Sequence, residues 1–150
     1  MGKKSRVKGA VGEREVVNLL LKWLPPGWTA RRLRARDQSD EGDVYLRGPA
    51  GEVPAFCVEV KRVASFSIDS LMRAGGSALF DSWWRQACRQ AEAGGRRPML
   101  LFKQDRGVWL CAVSYTAGVV PGVVPMLVVR PGVFVVPLRC VLEIPAGEWL

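Results

Sequence analysis

The sequence contains no histidine, and this absence excludes several common types of active site. Without imidazole, neither a Ser–His nor a Cys–His pair is available, and proton transfer must use carboxylates or lysines. A zinc site is also disfavoured, because the cysteines are widely spaced and include no CxxC pair. We therefore expect small core residues in a reducing compartment at the four cysteine positions, Cys57, Cys88, Cys111 and Cys140.

Long apolar runs are missing as well. A membrane-spanning helix needs roughly 18 or more consecutive apolar residues. The nearest candidate, residues 119–136, is interrupted by Arg130 and by prolines. The basic N-terminal segment lacks the apolar centre of a secretion signal. These features predict a cytoplasmic location.

Positive charge is abundant by contrast, with a net charge of +8 on 150 residues that fit a single domain. Such a charge is compatible with a basic protein that has no polyanionic partner. Its placement favours a different interpretation, because cations cluster at residues 3–8 and again at residues 31–36. Clustered cations bind a phosphate backbone by releasing its condensed counterions, so we predict a nucleic-acid partner.

Hydrophobic periodicity and turn-forming residues predict an α/β fold in which helices flank a central mixed β-sheet. A mobile basic arm is expected at residues 1–8. The valine-rich stretch from residue 119 to residue 144 predicts additional strands, which complete the sheet or form a dimer interface. Helices are predicted at residues 10–23 and 77–93, and other strands at residues 28–36, 43–47, 55–63, 98–103 and 108–113.

The first predicted helix carries two glutamates on different faces. Glu13 shares a stripe with Leu20 and Leu24 that is expected to pack inwards, whereas Glu15 lies on a stripe that meets water. A free carboxylate on an inward face is costly, so Glu13 is a candidate metal ligand, directly or through water. The alternative is a partly solvated glutamate near the helix start, where the helix dipole favours negative charge.

Asp43 and the pair formed by Glu59 and Lys61 carry the predicted chemistry. Period-2 geometry places Glu59 and Lys61 on one face of a strand, and Asp43 reaches that face if its own strand pairs antiparallel beside it. Two carboxylates and the Val60 carbonyl then form a hard oxygen site suited to Mg²⁺ or Mn²⁺. Lys61 would orient or help deprotonate an attacking water and offset charge on a phosphate. The alternative is an ordinary exposed charge pair on an amphipathic strand.

Three short motifs, GERE at residues 12–15, GDV at residues 42–44 and FCVEVK at residues 56–61, together resemble the PD-(D/E)XK nuclease superfamily. Their order and spacing look most like the archaeal-type Holliday-junction resolvases and their phage relatives, over roughly residues 7–103. The resemblance implies a restriction-endonuclease-like fold. The valine-rich stretch after residue 119 has no counterpart in these relatives, and its composition predicts an extra β segment at the C-terminus. The resemblance also implies a metal centre surrounded by Glu13, Asp43, Glu59 and Lys61.

The same resemblance implies supporting residues. A glutamine on the helix after the E-x-K pair often supports the site, and Gln86 fits that place, with Gln90 as second choice. Gly42 stands where the superfamily usually has proline. A polar residue upstream of Asp43 has three candidates, Gln38, Ser39 and Asp40.

Basic residues near these motifs are the candidates for contacts to DNA. Lys103 is a weaker candidate, and Trp83 and Trp84 are expected to be core residues rather than base-stacking platforms. Arg85 and Arg89 fit phosphate contacts and solvated helix charges equally well. The full set of DNA-binding candidates is Lys3, Lys4, Arg6, Lys8, Arg14, Arg31, Arg32, Arg34, Arg36, Arg62, Arg85 and Arg89.

The resulting hypothesis is a Mg²⁺- or Mn²⁺-dependent, structure-selective endodeoxyribonuclease. It would nick four-way DNA junctions as a homodimer, in the host cytoplasm if a phage encodes it. One alternative is a nuclease of the same fold that acts on flaps, ends or single strands. A second is a non-catalytic DNA-binding module, and a third is a protein-interaction domain whose basic charge is incidental.

Overall fold

The computed structural model describes residues 3–33, 42–114 and 127–150 of the chain. Two long helices and one short helix are present in these ranges, together with 3-10 turns at Ile68–Leu71 and Ala146–Glu148. The helices are α1 (Lys3–Trp23), α2 (Ala78–Ala93) and α3 (Leu138–Leu142). The strands are β1 (Thr29–Arg32), β2 (Val44–Arg47), β3 (Phe56–Val63), β4 (Arg97–Gln104), β5 (Leu110–Ser114), β6 (Leu127–Arg130) and β7 (Val133–Pro137).

The strands of the described ranges form one mixed sheet in the order β1-β2-β3-β4-β5-β7-β6. Strands β3 and β4 pair in parallel, because the chain crosses between them through α2, and the other neighbouring strands pair antiparallel. The predicted α/β fold with a mixed sheet and flanking helices is confirmed. The first five residues of β3 are all buried, as expected for a central strand covered on both faces.

Each face of the sheet packs against one long helix. Val16 and Leu20 of α1 share a core with Val58 and Val60, so this side of the sheet is called the α1 face below. The opposite side, called the α2 face, packs against α2 through buried aromatic residues. These include Trp83 and Trp84, which are buried against Phe102 and Leu100 as predicted.

The first helix begins at Lys3. The prediction of a mobile arm at residues 1–8 was therefore wrong for residues 3–8, which belong to the helix. The segment contains no proline before Pro25, and its charged residues are compatible with a helix. Gly12 is tolerated because the helix approaches β3 closely there. A Cβ added to Gly12 would lie 3.0 Å from the Cβ of Arg62.

The C-terminal region contains both a confirmed and an incorrect prediction. Strands β6 and β7 confirm the expected extension of the sheet, with β7 inserted next to β5 and β6 at the edge. Leu138–Leu142 is helical, although strands were predicted there, because it follows Pro137 and folds back to bury Leu138 and Val141. Residues 119–126 lie outside the described part of the chain.

The cysteines are free thiols, and Cys57 and Cys111 are buried in the core. Burial raises the pKa of the Cys111 thiol far above its usual range, so this sulfur is chemically inert. Within the described ranges, no helix combines the length and the apolar character that a membrane crossing requires.

Candidate active site

Asp43 is fixed against the middle of β3 by two backbone contacts. Its amide N–H donates to the Val58 carbonyl at 2.9 Å, and its carboxylate Oδ2 accepts the Val60 N–H at 2.9 Å. Strand β2 pairs antiparallel with β3 at Val44 and Val58, as predicted from sequence. The carboxylate is therefore held where β2 begins, against the middle of β3.

Gly42 allows this close approach. Its backbone φ is 78°, and a Cβ at this position would lie 2.3 Å from the Val58 carbonyl oxygen. Proline cannot adopt a positive φ, since its ring fixes φ near −65°. The glycine that replaces the usual proline before the motif aspartate therefore has a local steric reason.

Glu59, Lys61 and Gln86 form one hydrogen-bonded cluster on the α2 face. The Lys61 ammonium donates to Glu59 Oε1 at 2.5 Å and to Gln86 Oε1 at 3.1 Å. Gln86, from α2, also donates through Nε2 to Glu59 Oε1 at 2.6 Å. The alternation along β3 brings Glu59 and Lys61 together, and Gln86 rather than Gln90 closes the cluster from the helix.

Glu59 is fully buried, with 0% of its surface exposed, and its Oε2 atom has no hydrogen-bond partner within the described structure. Burial is the largest cause that raises the pKa of this carboxyl group to about 7. The neighbouring Asp43 charge raises it further, and Lys61 only partly opposes the shift. A buried carboxylate beside a second carboxylate is poorly compensated by the protein alone, so a cation would stabilise this pair.

The residues present fit a small divalent cation. Mg²⁺ prefers oxygen ligands and commonly uses one or two carboxylates, with water and substrate phosphate completing its shell. Asp43, Glu59 and the Val60 carbonyl offer such a set, and the partnerless Glu59 Oε2 has a lone pair to give. No group of three carboxylates or cysteines suited to a metal ion occurs within residues 3–33, 42–114 and 127–150.

Glu13 is not brought together with Asp43 and Glu59. It lies on α1, which packs on the opposite face of the sheet from Gln86, and its side chain is 17% exposed. Arg32 of β1 donates from Nε to Glu13 Oε2 at 2.6 Å, which compensates the charge of this carboxylate. The role of Glu13 as a metal ligand therefore stays a prediction.

Glu15 belongs to a charged cluster that the sequence did not reveal. Its carboxylate accepts hydrogen bonds from Arg62 at 2.5 Å, from Lys103 at 2.6 Å and from Trp109 Nε1 at 3.2 Å. Burial opposes ionisation of Glu15, but the lysine and arginine outweigh it and its pKa is lowered. Helical periodicity placed Glu15 towards water. Such a local pattern carries no information about distant partners, which here lie on β3, on β4 and just before β5.

The predicted DNA-binding cations fall into several groups. Arg32, Arg62 and Lys103 are engaged in ion pairs with carboxylates, and Arg14, Arg85 and Arg89 are exposed. Arg31 is exposed on β1. Four of the candidates lie within α1, namely Lys3, Lys4, Arg6 and Lys8. Outside the described residues lie Arg34 and Arg36, together with Gln38, Ser39 and Asp40.

A cavity of about 390 Å³ lies away from this chemistry. Leu19, Trp109, Leu138 and Leu142 are among its lining residues, and none of Asp43, Glu59, Lys61 or Gln86 contributes to it. An apolar cavity without convergent polar groups offers no catalytic machinery. The cluster around Glu59 is therefore the candidate active site.

Comparison with known proteins identifies the family of the chain. Residues 4–129 match the family described as "Phage putative PDDEXK endonuclease". The chain is 34% identical over 116 residues to Protein D14 of Escherichia phage T5, which covers 73% of this chain and 71% of that protein. It also shares 16% identity and a TM-score of 0.42 with Hjc, a Holliday junction resolvase of Archaeoglobus fulgidus, over 88% of this chain and 90% of the other. That structural likeness is too low to transfer a substrate. The chain belongs to the phage PDDEXK endonuclease family, within the PD-(D/E)XK nuclease superfamily, and is a nuclease.

Proposed function

We propose that this nuclease is a Mg²⁺- or Mn²⁺-dependent endonuclease that hydrolyses phosphodiester bonds in DNA. The observation that carries the proposal is the buried Glu59 carboxylate, whose Oε2 has no partner and whose pKa is raised beside Asp43. Lys61 and Gln86 both bind Oε1, so the second oxygen of this buried carboxylate is left without a donor. This arrangement suits a cation that binds together with the substrate.

Asp43, Glu59 and the Val60 carbonyl would hold the metal ion. When bound, the ion would polarise the scissile phosphate and lower the pKa of a coordinated water. The peptide N–H of Val60 keeps Asp43 in place, so its carboxylate needs no rearrangement to act. This preorganisation reduces the reorganisation that charged groups otherwise undergo during catalysis.

Lys61 would act on the reacting phosphate. Its ammonium is held by Glu59 on its own strand and by Gln86 on α2, so two elements fix its position. A positioned ammonium stabilises negative charge that develops on the phosphoryl oxygens and orients an attacking water. Gln86 is a positioning residue, since it contacts both Glu59 and Lys61.

Glu13 would join this site only if it left Arg32. Arg32 compensates Glu13 on the α1 face, and DNA phosphate is a competing partner for the same guanidinium. Transfer of Arg32 to a phosphate would release Glu13 to act on the metal through water.

For the substrate, we propose branched DNA, with a four-way junction cut by a homodimer as the specific case. The support is the order and spacing of the motifs at residues 12–15, 42–44 and 56–61, together with the net charge of +8. Symmetric incision of a junction needs two active sites at a fixed separation, which a two-fold dimer provides.

A cleavage assay tests both levels of the proposal. Labelled four-way, forked, duplex and single-stranded DNA of matched sequence would be incubated with Mg²⁺, Mn²⁺ or EDTA. We expect metal-dependent nicking, fastest on the four-way junction, and loss of at least about 100-fold in rate for Asp43→Asn and Lys61→Ala. Glu143→Gln, an exposed carboxylate at the end of α3, is the matched control.

The results that would contradict the proposal act at different levels. Equal cutting of the four substrates would reject the junction preference and leave the metal-dependent nuclease intact. Metal-independent cleavage, or full activity of the Asp43→Asn and Lys61→Ala variants, would reject the catalytic assignment itself. Binding to DNA without any cleavage would favour a non-catalytic DNA-binding module.

A further inference from the structure

Arg31, Tyr45 and Arg47 form a stack on two neighbouring strands at the edge of the sheet. The guanidinium carbons of Arg31 and Arg47 each lie over the Tyr45 ring, 4.4 Å from its centroid. Arg31 is the cross-strand partner of Tyr45 in the pairing of β1 with β2, and Arg47 follows Tyr45 by two residues. One aromatic ring therefore orders two cations. We call these three residues the arginine–tyrosine stack.

The stack lies on the same face of the sheet as the candidate active site. Val44 and Leu46 are buried in the core on the α1 face, so the alternating positions Asp43, Tyr45 and Arg47 point to the α2 face. Glu59 and Lys61 occupy that face too, because Gln86 of α2 contacts both. The stack thus extends along β2, away from Asp43. Measured along the strand, Tyr45 lies about 7 Å from Asp43 and Arg47 about 13 Å from it.

The side chains of the stack are pre-ordered. A guanidinium packed on an aromatic face gains cation–π attraction and loses part of its conformational freedom before any ligand binds. Arg47 Nη1 also donates to the Leu46 carbonyl at 3.3 Å. Binding an anion here would cost less ordering entropy than binding to flexible surface lysines.

Arg31 differs from the paired cations of the α1 face. On that face, Arg32 pairs with Glu13, and Arg62 and Lys103 pair with Glu15. Within the described ranges, by contrast, no carboxylate forms an ion pair with Arg31, which is exposed and packs on Tyr45. An anion would therefore bind Arg31 without displacing a carboxylate of the described residues.

From this placement we infer that the arginine–tyrosine stack binds the phosphodiester backbone of the DNA strand that the active site cuts. The inference rests on the proposed function, because the substrate is taken to be DNA. Arginine pairs well with phosphate oxygens through its planar fork of N–H groups. At about 3.4 Å of rise per nucleotide, the stack would contact phosphates a few nucleotides from the scissile one.

A binding experiment without catalysis tests this inference. Fluorescence anisotropy with fluorescein-labelled duplex, four-way junction and single-stranded DNA, in EDTA, would give the dissociation constant over a range of NaCl concentrations. The variants are Arg31→Gln, Arg47→Gln, Tyr45→Leu and Tyr45→Phe. The matched control is Arg139→Gln, an exposed arginine on α3. Circular dichroism and thermal melts would check that each variant is folded.

The expected result has a defined pattern. Each arginine variant should weaken binding at low salt and reduce the slope of log K against log[NaCl] by about 1, equally for different DNA sequences. Tyr45→Leu should weaken binding by roughly 3- to 10-fold through loss of ordering, whereas Tyr45→Phe keeps the ring and should bind like the parent. Arg139→Gln should leave the salt slope unchanged.

Several outcomes would overturn the inference. Unchanged salt slopes for both arginine variants would overturn it. If a variant at the half-buried Tyr45 fails to fold, the salt slope of Arg31→Gln decides the test. A loss confined to Tyr45→Leu and to single-stranded DNA would indicate base stacking instead of backbone contact. The proposed function is tested separately, because Asp43→Asn should bind DNA with the parent slope while it loses cleavage.

Discussion

Glu59 and Glu15 lie on opposite sides of the same sheet and differ in how their charge is compensated. Glu15 receives hydrogen bonds from Arg62, Lys103 and Trp109, and its pKa is lowered. Glu59 is fully buried, shares one oxygen with Lys61 and Gln86, and keeps Oε2 without a partner. Its pKa is raised to about 7 by burial and by the nearby Asp43.

This contrast separates a carboxylate that stabilises the fold from one that is available for chemistry. Glu15 connects α1 to β3 and β4 and has its bonding capacity occupied. Glu59 carries an electrostatic cost that the folded protein does not remove by itself, which is typical of functional positions. For a charged residue in a short motif such as GERE, a role can therefore be assigned only once its contacts are known.

The largest expected effect comes from Glu59→Gln. The amide keeps the shape but cannot ionise, so we expect cleavage to fall by roughly 100- to 1000-fold. The free energy of unfolding at pH 8 should not fall, since the cost of a buried charge is removed. Cleavage kinetics and urea denaturation would measure both quantities. Strong destabilisation with normal cleavage would make Glu59 a structural residue like Glu15.

Near neutral pH, the free energy of unfolding should change with the ionisation of Glu59. Its pKa rises from 4.5 to about 7 on folding, so its contribution is fully present below pH 4.5 and is lost as the pH rises through about 7. Glu15, whose pKa is lowered, contributes above pH 4.5 and loses its contribution only in acid. Urea denaturation without metal from pH 5 to pH 8 should show a decline on the order of a few kcal/mol.

The same decline should be absent in Glu59→Gln and present in Glu15→Gln. A decline of equal size in both variants would assign the titration to another group. Added Mg²⁺ should reduce the decline in the parent protein, because the ion favours the deprotonated carboxylate.

Glu15→Gln should affect stability more than activity. The variant loses two charge-assisted contacts, but the side chain is 36% exposed, so solvent screening limits the loss to about 1–2 kcal/mol at pH 7. The cleavage rate of the folded variant should stay within about threefold of the parent. A rate loss as large as that of Glu59→Gln, with stability unchanged, would place Glu15 in the active site.

Among the residues of the candidate active site, the smallest effect is expected for Gln86→Ala. Gln86 positions Glu59 and Lys61 from α2, so its loss should reduce the cleavage rate by about 10-fold, mainly in kcat. Gln90→Ala, one turn along the same helix, is the matched control and should behave like the parent. Gln86→Glu should not rescue the rate, because it brings a third carboxylate to the site. Equal effects of Gln86→Ala and Gln90→Ala would indicate a general effect on the helix.

The sequence predicted the part of the site that depends on local geometry. Period-2 alternation placed Glu59 and Lys61 on one face. The condition for Asp43 to reach that face, antiparallel pairing of its strand beside β3, is met in the structure. The helix that carries Gln86 was bounded within one residue, since Ser77 caps it and glycines end it.

Features that depend on distant contacts were not predictable in this way. Glu15 lies 47 residues from Arg62 and 94 residues from Trp109, so no local pattern links them. The pairing of Arg31 with Tyr45 requires the register between β1 and β2. The start of α1 was missed because residues 3–8 lack an apolar stripe, although lysine and arginine favour helices. The short helix α3 was missed because it lies in a valine-rich stretch whose composition favours strands, and packing overrides that preference.

The most direct test of the contrast between Glu59 and Glu15 is a crystal structure of the protein soaked in Mn²⁺, with anomalous scattering to locate the ion. We expect one anomalous peak bound by Asp43, Glu59 and the Val60 carbonyl, with Glu15 still paired to Arg62 and Lys103. The residues around the bound waters of the ion would also show whether Glu13 leaves Arg32. A peak at Glu15, or none between Asp43 and Glu59 at saturating Mn²⁺, would contradict the assignment of the active site.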